Sequence, residues 1–518
     1  MSAASPTDAS APAPAVDPDV APGSPTLTRR IAIMISVVLG STLYSTTLLI
    51  ASTLLPQMRG AMAATPDEIA WIMTFNILAT AVMTPMTGWL VACFGRRGVI
   101  VTSMLLFSLF TFLCGQAESL ETLVLWRILQ GGAGAPVVPL AQTILLDSFP
   151  RRQHGMINSV YGMAVVIGPV IGPTLGGMLS EAYSWRWAFY VLVPVGLASS
   201  VGLWFSMLRD PPRQAARLDW IGFLSLSIAI SCVQLVLSRG QRLDWYDSPE
   251  IVIETLGAAF GFYVFVAHSL TAPTPFLNLH LLLDRNYALG LVLVCVYGML
   301  NFTPVVLLPP LLQEHAGFPD TIIGEILGGR GIGATIGFFL ALFVGKMDPR
   351  IGMSIGFILQ AVSGAWLMSI DLNVSMDVLF VNSMIQGVAI GIIWVPMTMA
   401  TFSTLEARHW PEAMAIYHLL RNIGSSFFIA LCVSEIVRST AQNYERLGEA
   451  ISPFNERLKL PWVMGGWVMD TLPGLAGIAK EINRQAAMIG YLNAFALYTA
   501  TSAAAMLLVM FATRKRAG

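Results

Sequence analysis

Long apolar segments recur along the chain from near residue 31 to near residue 512, and short polar turns separate them. Each segment holds about 20 residues, the length at which an α-helix crosses a hydrocarbon core of roughly 30 Å. The segments are continuously apolar, whereas the strands of a membrane β-barrel alternate between polar and apolar positions. The pattern therefore predicts fourteen membrane-spanning helices, which we number as spans 1 to 14: 31–55, 69–92, 98–116, 121–146, 155–180, 186–207, 218–238, 250–270, 287–312, 321–344, 351–369, 376–401, 412–438 and 488–512.

The composition agrees with an all-α polytopic membrane protein. Of the 518 residues, 55% are hydrophobic and only 11% are charged, which is far from the balance of a soluble domain. All five cysteines fall inside or at the ends of spans, so no disulfide framework is indicated. Residues 1–28 are rich in Ala, Pro, Ser and Thr and lack the pattern of a signal peptide, so we expect a disordered tail before span 1.

Lys and Arg are distributed unevenly between the two sets of turns. The segments on the side of the N-terminus hold sixteen, the short loops on the other side hold four, and the long segment 439–487 holds five. Basic residues favour the cytoplasmic side, and long loops count little in this rule. We therefore expect both termini to be cytoplasmic.

Two similar turns indicate that the chain contains two related halves. GWLVACFGRRGV (88–99) follows span 2 and FVGKMDPRIGM (343–353) follows span 10, each with a glycine before a short basic turn. We predict one six-helix half in 29–208, a linker with two inserted helices in 209–286, and a second six-helix half in 287–518 that includes an external loop at 439–487. Duplicated halves are typical of secondary transporters, which bind substrate between the repeats near the membrane midplane.

Arg127 lies inside span 4, in the stretch ETLVLWRILQGGAGAP (121–136). At 3.6 residues per turn it shares a helix face with Gln130, Gly131 and Gly134, so we expect its guanidinium to face other helices. A charge on a spanning helix costs at least roughly 2.5–3.5 kcal/mol at the bilayer centre, which makes it a functional-site hypothesis. The alternative is that Arg127, near the external end of the span, extends to the membrane surface.

Span 5 contains YGMAVVIGPVIGPTLGGML (161–179), which combines glycines and prolines at a spacing of four. Glycines at this spacing let another helix approach to backbone contact. Each proline removes an intrahelical hydrogen bond and should kink or loosen the helix. The pattern indicates a pivot or gate, and the alternative is a static packing interface. The residues of this motif are Gly168, Pro169, Gly172, Pro173, Gly176 and Gly177.

These stretches together resemble a known family. LWRILQGGAGAP is similar to the helix-4 signature of the major facilitator superfamily, and GMAVVIGPVIGPTLGG is similar to the helix-5 signature of its drug:proton antiporters. SWRWAFYVLVPVG opens span 6, GGRGIGATIGF lies in span 10 and YHLLRNIGSSFFIA lies in span 13. With fourteen spans, the chain resembles the EmrB/QacA-type multidrug exporters over residues 30–512.

The resemblance implies an exporter of amphipathic drugs or toxic compounds in a bacterial inner membrane. Such carriers work by alternating access and exchange their substrate for protons, so the proton gradient supplies the energy and no cofactor is expected. The family's helix-4 arginine, which serves proton coupling, corresponds to Arg127, and its helix-5 motif packs on the second helix of the other half, here span 10. By analogy with the EmrB type, a periplasmic adaptor protein and an outer-membrane channel are expected partners. The segment with Trp462 and Trp467 would dock the adaptor or, as the alternative, lie on the membrane surface.

Two departures from the family pattern concern charged residues. Thr47 stands where the family commonly has an aspartate in helix 1, so that acid is missing. In the turn after span 2, Ala92 and Cys93 occupy the usual positions of Asp and Arg, so a salt-bridge latch built on that aspartate is not expected. The residues of the turn motif that remain are Gly88, Gly95, Arg96 and Arg97.

Because proton coupling needs a group that changes its charge, other polar residues within the spans are candidates for coupling or for the substrate cavity. His418 and Arg421 are three apart and share a face. Histidine titrates in the physiological range, and the neighbouring cation would disfavour its protonation. The alternative is a structural pair for these two, and a solvated interfacial position for Glu325. The full set is Asn76, Asn301, Glu325, Arg330, His418 and Arg421.

A membrane-embedded enzyme is the competing class. The six histidines are scattered over different loops and spans, and the chain has no G-x-x-x-x-G-K-[ST] segment for ATP. We therefore expect no enzyme, no metal site and no nucleic-acid partner. A uniporter or an importer of another small solute stays open because the helix-1 acid is absent.

Overall fold

The computed structural model of the protein describes residues 26–208, 217–273, 275–344, 348–406, 409–452, 454–455 and 471–511. These residues form sixteen α-helices and no strand. Thirteen helical stretches within this part of the chain are long and apolar enough to cross a membrane, and the shorter apolar helix Trp71–Met83 falls on predicted span 2. The prediction of an all-α polytopic membrane protein is therefore confirmed.

The first eight helices cover spans 1 to 6, with breaks that the hydrophobic pattern does not predict. Predicted span 4 is divided at Ala135 and Pro136, and span 6 is divided at Val191. The turn predicted between spans 2 and 3 appears instead as a bend within the third helix, at Gly95, whose φ of 76° and ψ of 162° are not helical. The helices are α1 (Leu27–Met62), α2 (Pro66–Met83), α3 (Thr87–Gln116), α4 (Leu120–Gly134), α5 (Val137–Ser148), α6 (His154–Ala182), α7 (Trp185–Tyr190) and α8 (Leu192–Ser206).

The two inserted helices are α9 (Trp220–Arg239) and α10 (Pro249–Thr271). Asp219 caps α9 and also accepts hydrogen bonds from the backbone N–H of Phe276 and from the imidazole of His268, at 3.0 and 2.8 Å. Although desolvation acts in the opposite direction, these hydrogen bonds and that of the Gly222 N–H hold the pKa of Asp219 below its ordinary value.

The inserted pair is joined to both predicted halves by a small apolar cluster. Leu226 and Ile230 of α9 pack with Ala81 of α2 on one side and with Leu419 in the fifteenth helix on the other. Phe265 of α10 completes the cluster. Helix α9 is therefore in contact with the first half and with the second half at the same time.

The remaining helices cover spans 9 to 14. Helix 11 contains Pro304, Pro309 and Pro310 and continues into a π-helical turn, Leu311–Ala316. Helices 15 and 16 extend into the predicted external segment 439–487: the first ends at Gly448 and the second begins at Leu472. Trp462 and Trp467 lie outside the described residues. The helices are α11 (Arg285–Pro310), α12 (Asp320–Val344), α13 (Pro349–Leu367), α14 (Met376–Phe402), α15 (Trp410–Gly448) and α16 (Leu472–Val509).

Glycines bring several helix pairs into backbone contact. Gly387 of α14 lies against the carbonyl oxygen of Arg330 in α12. In the same way Gly298 of α11 lies against the carbonyl oxygen of Arg421 in α15, and Gly424 of α15 lies against that of Cys295. These close approaches fix the backbones that carry both arginines.

Candidate functional site

Arg127 is buried between α2 and α4, with 1% of its surface exposed. Its Nη1 donates to Gln130 Oε1 at 2.6 Å, its Nε donates to the carbonyl oxygen of Ile72 at 3.4 Å, and its Nη2 lies 3.7 Å from Met73 Sδ. The helix-face prediction is therefore confirmed, and the alternative that this side chain extends to the membrane surface is wrong.

The neighbours of Arg127 include two more residues that the sequence pattern singled out. Asn76 of α2 donates from Nδ2 to the Arg127 carbonyl oxygen at 2.7 Å. Gly131 lies against the Asn76 carbonyl oxygen, and Gly134 lies against the rings of Phe107 and Tyr44. Small residues at these positions let α2 and α3 approach α4 closely.

Arg330 forms a second buried arrangement, on α12. Its Nη1 donates to Gln386 Oε1 at 2.6 Å, and its Nη2 donates to Asn301 Oδ1 at 3.1 Å and also to the Asn301 carbonyl oxygen. Glu325, on the same helix, is exposed and forms no ion pair with Arg330. The two arginine environments are alike: each guanidinium is bound by the glutamine of a Gln-Gly pair, Gln130-Gly131 or Gln386-Gly387.

His418 connects α15 to α5. Its Nε2 lies 2.9 Å from Gln142 Oε1. The amide nitrogen of Gln142 donates to Asn158 Oδ1 at 3.0 Å, which assigns the Gln142 oxygen as an acceptor and His418 Nε2–H as the donor. His418 Nδ1 then carries the lone pair, and this buried atom has no hydrogen-bond partner among the described residues.

Arg421 lies one turn further along α15, beside Trp394 of α14. Its guanidinium carbon is 5.7 Å from the centroid of the Trp394 ring, and the ring of His418 is 6.0 Å from the same tryptophan. His418 and Arg421 therefore share Trp394 as a neighbour. The side chain of Arg421 is buried, and its Nε has no partner in the described part of the chain.

A cavity lies between α6 and four helices of the second half, and it is partly open to solvent. Asn301, Arg330 and Arg421 line it, and Asn76, Gln130, Glu325, His418 and Arg127 do not. The other lining residues are Gly162, Val165, Val166, Pro169, Val170, Tyr297, Phe302, Val305, Leu327 and Trp394.

The glycine motif of α6 has two different packing partners. Gly168 and Gly172 face α1, where added Cβ atoms would each lie 2.7 Å from a backbone carbonyl oxygen, of Thr42 and Thr46 respectively. Contact with α12 comes instead from Gly162 against Phe338 and from Val170 against Gly331. The expected packing of span 5 on span 10 is present, but the glycine stripe itself faces a helix of its own half.

The rest of this motif contributes unequally. Pro169 lines the cavity, and Gly176 is buried. A Cβ atom on Gly177 would meet nothing within 4 Å, so no close helix contact requires glycine there. The side chain of Pro173 lies outside the described residues.

The turn motif, which lies within the first part of α3, keeps a charge pair despite its departures. Arg96 forms a salt bridge with Asp147 at the end of α5. Arg97 donates to the carbonyl oxygen of Trp204 at 2.6 Å, with its guanidinium carbon 4.4 Å from that ring centroid. Gly88 approaches Glu412 of α15 at 3.4 Å, measured from an added Cβ atom, so the start of α3 touches the second half. Arg96 therefore has an acidic partner, Asp147, although Ala92 stands at the family's aspartate position.

Several of these partners were not predicted from the sequence. Gln386 could have been found, because the pair Gln386-Gly387 repeats Gln130-Gly131 in the fourth span of the other half. Gln142 and Asp147 lie near one end of predicted span 4, but nothing in their spacing points to His418 or Arg96. Trp394 is an aromatic residue in an apolar span and gives no signal of its own.

Comparison with known proteins agrees with this fold. Residues 37–429 match the model of a family described as Major Facilitator Superfamily. The chain is 29% identical over 445 residues to Multidrug export protein EmrB of Haemophilus influenzae, and 28% identical over 444 residues to Multidrug export protein EmrB of Escherichia coli; each alignment covers 85% of this chain and 87% of the relative.

A solved structure supports the same architecture. A bacterial homolog of the human lysosomal transporter Spinster, in an inward-facing and occupied conformation, matches with a TM-score of 0.55 at 15% identity, covering 94% of this chain and 97% of that chain. This likeness concerns the fold alone. The family match extends over more than half of the sequence, and the protein is thus a multi-pass membrane transporter, not an enzyme, and belongs to the major facilitator superfamily.

Proposed function

We propose that this transporter exports amphipathic drugs or toxic compounds by alternating access, in exchange for protons. The observation that carries the proposal is the position of the cavity, whose walls come from α6 on one side and from α11, α12, α14 and α15 on the other. A site between the two predicted halves can open to either membrane face as the halves rock. The names of the two EmrB relatives, multidrug export proteins, support the direction of transport.

The cavity surface suits molecules that combine a polar group with an apolar body. Trp394, Tyr297 and Phe302 offer ring faces and edges, and the valines of α6 add aliphatic surface. Polar contacts come from Asn301 and the two arginines. Such a lining binds by apolar burial and ring stacking, with few directional contacts, which supports a range of substrates.

His418 is the proton acceptor that we propose. Its Nδ1 carries a lone pair without a partner, and its ring packs against Trp394, which lines the cavity. A substrate lying on Trp394 would exclude water from this region, so protons would reach Nδ1 only after the substrate has left. The nearby positive charge of Arg421 would favour release of the proton on the other side of the membrane.

We further propose a bacterial inner membrane as the location, with both termini cytoplasmic. The excess of Lys and Arg in one set of turns supports this orientation. The loop between α15 and α16 then faces the periplasm, where an adaptor protein leading to an outer-membrane channel would bind. Retention of the transporter by an immobilised adaptor, and loss of retention when residues 453–470 are replaced by a Gly/Ser linker, would test this partner.

The export proposal is tested in inverted membrane vesicles, whose interior corresponds to the outside of the cell. Amphipathic dyes should accumulate in vesicles that contain the wild-type chain, and an imposed acidic interior should accelerate the accumulation. Arg127→Ala should abolish the effect at unchanged protein level, whereas Arg438→Ala, at an exposed position of α15, should not. Dye transport that does not respond to the pH gradient would favour a uniporter, the alternative that the absence of a helix-1 acid supports.

A further inference from the structure

Among the described residues, three arginines are buried in helices that span the membrane, and their surroundings differ in one respect. The guanidinium of Arg127 makes three contacts, with Gln130 Oε1, the Ile72 carbonyl oxygen and Met73 Sδ. The guanidinium of Arg330 donates three hydrogen bonds, one to Gln386 and two to Asn301. The guanidinium of Arg421 has a single hydrogen bond in the described part of the chain, from Nη2 to Asn422 Oδ1 at 3.4 Å. Arg421 is thus a buried cation whose donors are largely unused.

No carboxylate compensates this charge among the described residues. None of the residues that line the cavity is Asp or Glu, and no ion pair within 4.0 Å involves Arg421. The groups that Arg421 faces are Trp394 and, within electrostatic reach, four buried tyrosines on α1, α6, α11 and α15. The cavity therefore holds two guanidinium groups, and one of them has no anion and few acceptors.

We propose that the cavity binds the anionic group of an amphipathic substrate at Arg421, and that the transported compounds are organic anions such as carboxylates or sulfonates. A buried, desolvated guanidinium binds such groups through charge-assisted and bidentate hydrogen bonds. Arg330 adds a second positive charge to the cavity lining while its own donors stay occupied. This inference rests on the proposed export function and names the substrate class for it.

The apolar part of the substrate has a defined place in this arrangement. With the anionic group at Arg421, the body of the molecule would lie along Trp394 and Tyr297 toward Val166 and Val170 of α6. The same charges disfavour organic cations, because a cation in the cavity would meet two guanidinium groups and no acid. Charge selectivity is therefore a direct consequence of the lining.

Two naphthalene probes with fixed charges test the proposal. 2-Naphthalenesulfonate carries a permanent negative charge and (2-naphthyl)trimethylammonium carries a permanent positive charge on the same ring system, so pH does not alter either. We expect the sulfonate to stabilise the detergent-solubilised full-length chain against heating and to be transported into inverted vesicles at least about tenfold faster than the ammonium probe.

Variants of α15 provide the controls. Arg421→Gln should lower sulfonate transport by at least about tenfold and abolish the thermal shift, because the charge-assisted bonds are lost. Arg421→Lys should keep the preference for the anion with weaker binding, and Arg438→Gln should behave like the wild type.

The outcomes separate this inference from the export proposal. Equal or faster transport of the ammonium probe would overturn the anion site and leave export standing. A thermal shift that survives in Arg421→Gln, with both probes slowed alike, would also overturn it. Binding of the sulfonate that depends on Arg421, without transport of either probe or of the dyes, would support the site and refute export.

Discussion

The imidazole of His418 and the side-chain amide of Gln142 meet at 2.9 Å although 276 residues separate them in the sequence. One lies on α15 in the second half and the other on α5 in the first. This hydrogen bond joins the two predicted halves, and His418 is a side chain that can take up a proton. Protonation of His418 and rocking of the halves would therefore both affect the contact.

Replacing His418 by glutamine should separate transport from the pH gradient. Glutamine can still donate a hydrogen bond toward Gln142 but does not titrate, so dye movement should continue and lose its acceleration by an acidic vesicle interior. Gln142→Leu is the control, because it removes the hydrogen bond and leaves the titratable ring. An undiminished pH response in His418→Gln would mean that the proton binds elsewhere.

Replacing Arg127 by methionine should abolish transport and preserve the fold. Methionine has a similar length without charge, so loss of the hydrogen bonds is offset by relief from a burial cost of roughly 2.5–3.5 kcal/mol. Size-exclusion chromatography after heating should show an unfolding temperature within a few degrees of the wild type. Transport at the wild-type rate would show that the guanidinium only fills space between α2 and α4.

Gly131→Ala and Gly387→Ala should each destabilise the protein by roughly 1–3 kcal/mol, the range for overpacking. A methyl group would collide with the carbonyl oxygen of Asn76 in the first variant and of Arg330 in the second. Gly328→Ala, on α12, has nothing within 4 Å of the added Cβ atom and should leave the unfolding temperature unchanged or raise it. Equal stability of all three variants would contradict the close helix approach.

Gly95→Ala should weaken the bend in α3. A residue with a Cβ atom at a φ of 76° is strained by roughly 1–3 kcal/mol. The strain would also displace Arg96 from Asp147, so we expect a lower unfolding temperature and slower dye transport. Gly98→Ala is the matched control, since its Cβ atom would meet only Phe94 Cβ at 3.8 Å. If both variants unfold at the same temperature, the bend does not require glycine.

The helices and the arginine face of α4 could be predicted because they depend on local spacing. Twenty apolar residues in a row must form a helix in a bilayer, and a spacing of three positions places Arg127 and Gln130 on one face. The break at Pro136 was not predicted, because a proline in an apolar run is compatible with a continuous helix in a membrane. Gly95, by contrast, lies in the turn predicted between spans 2 and 3.

The cavity and its partners depend on tertiary contacts that spacing does not encode. The spacing of His418 and Arg421 correctly predicted that both lie on one helix face. Trp394, which lies beside both side chains, and Gln142, which contacts His418, come from other helices. Glu325 was selected as a titratable residue within span 10. It stands five residues before Arg330, a spacing that at 3.6 residues per turn rotates the two side chains apart, and Glu325 is exposed.

The apolar cluster around α9 has a mechanical consequence. Leu226 and Ile230 contact Ala81 in the first half and Leu419 in the second, so the inserted helix lies across the boundary between them. If the two halves rotate against each other, α2 and α15 cannot both stay in contact with the same residues of α9. One of the two contacts must slide or separate in every transport cycle. Because these contacts are aliphatic and non-directional, α9 can change its position against a neighbouring helix without breaking specific hydrogen bonds.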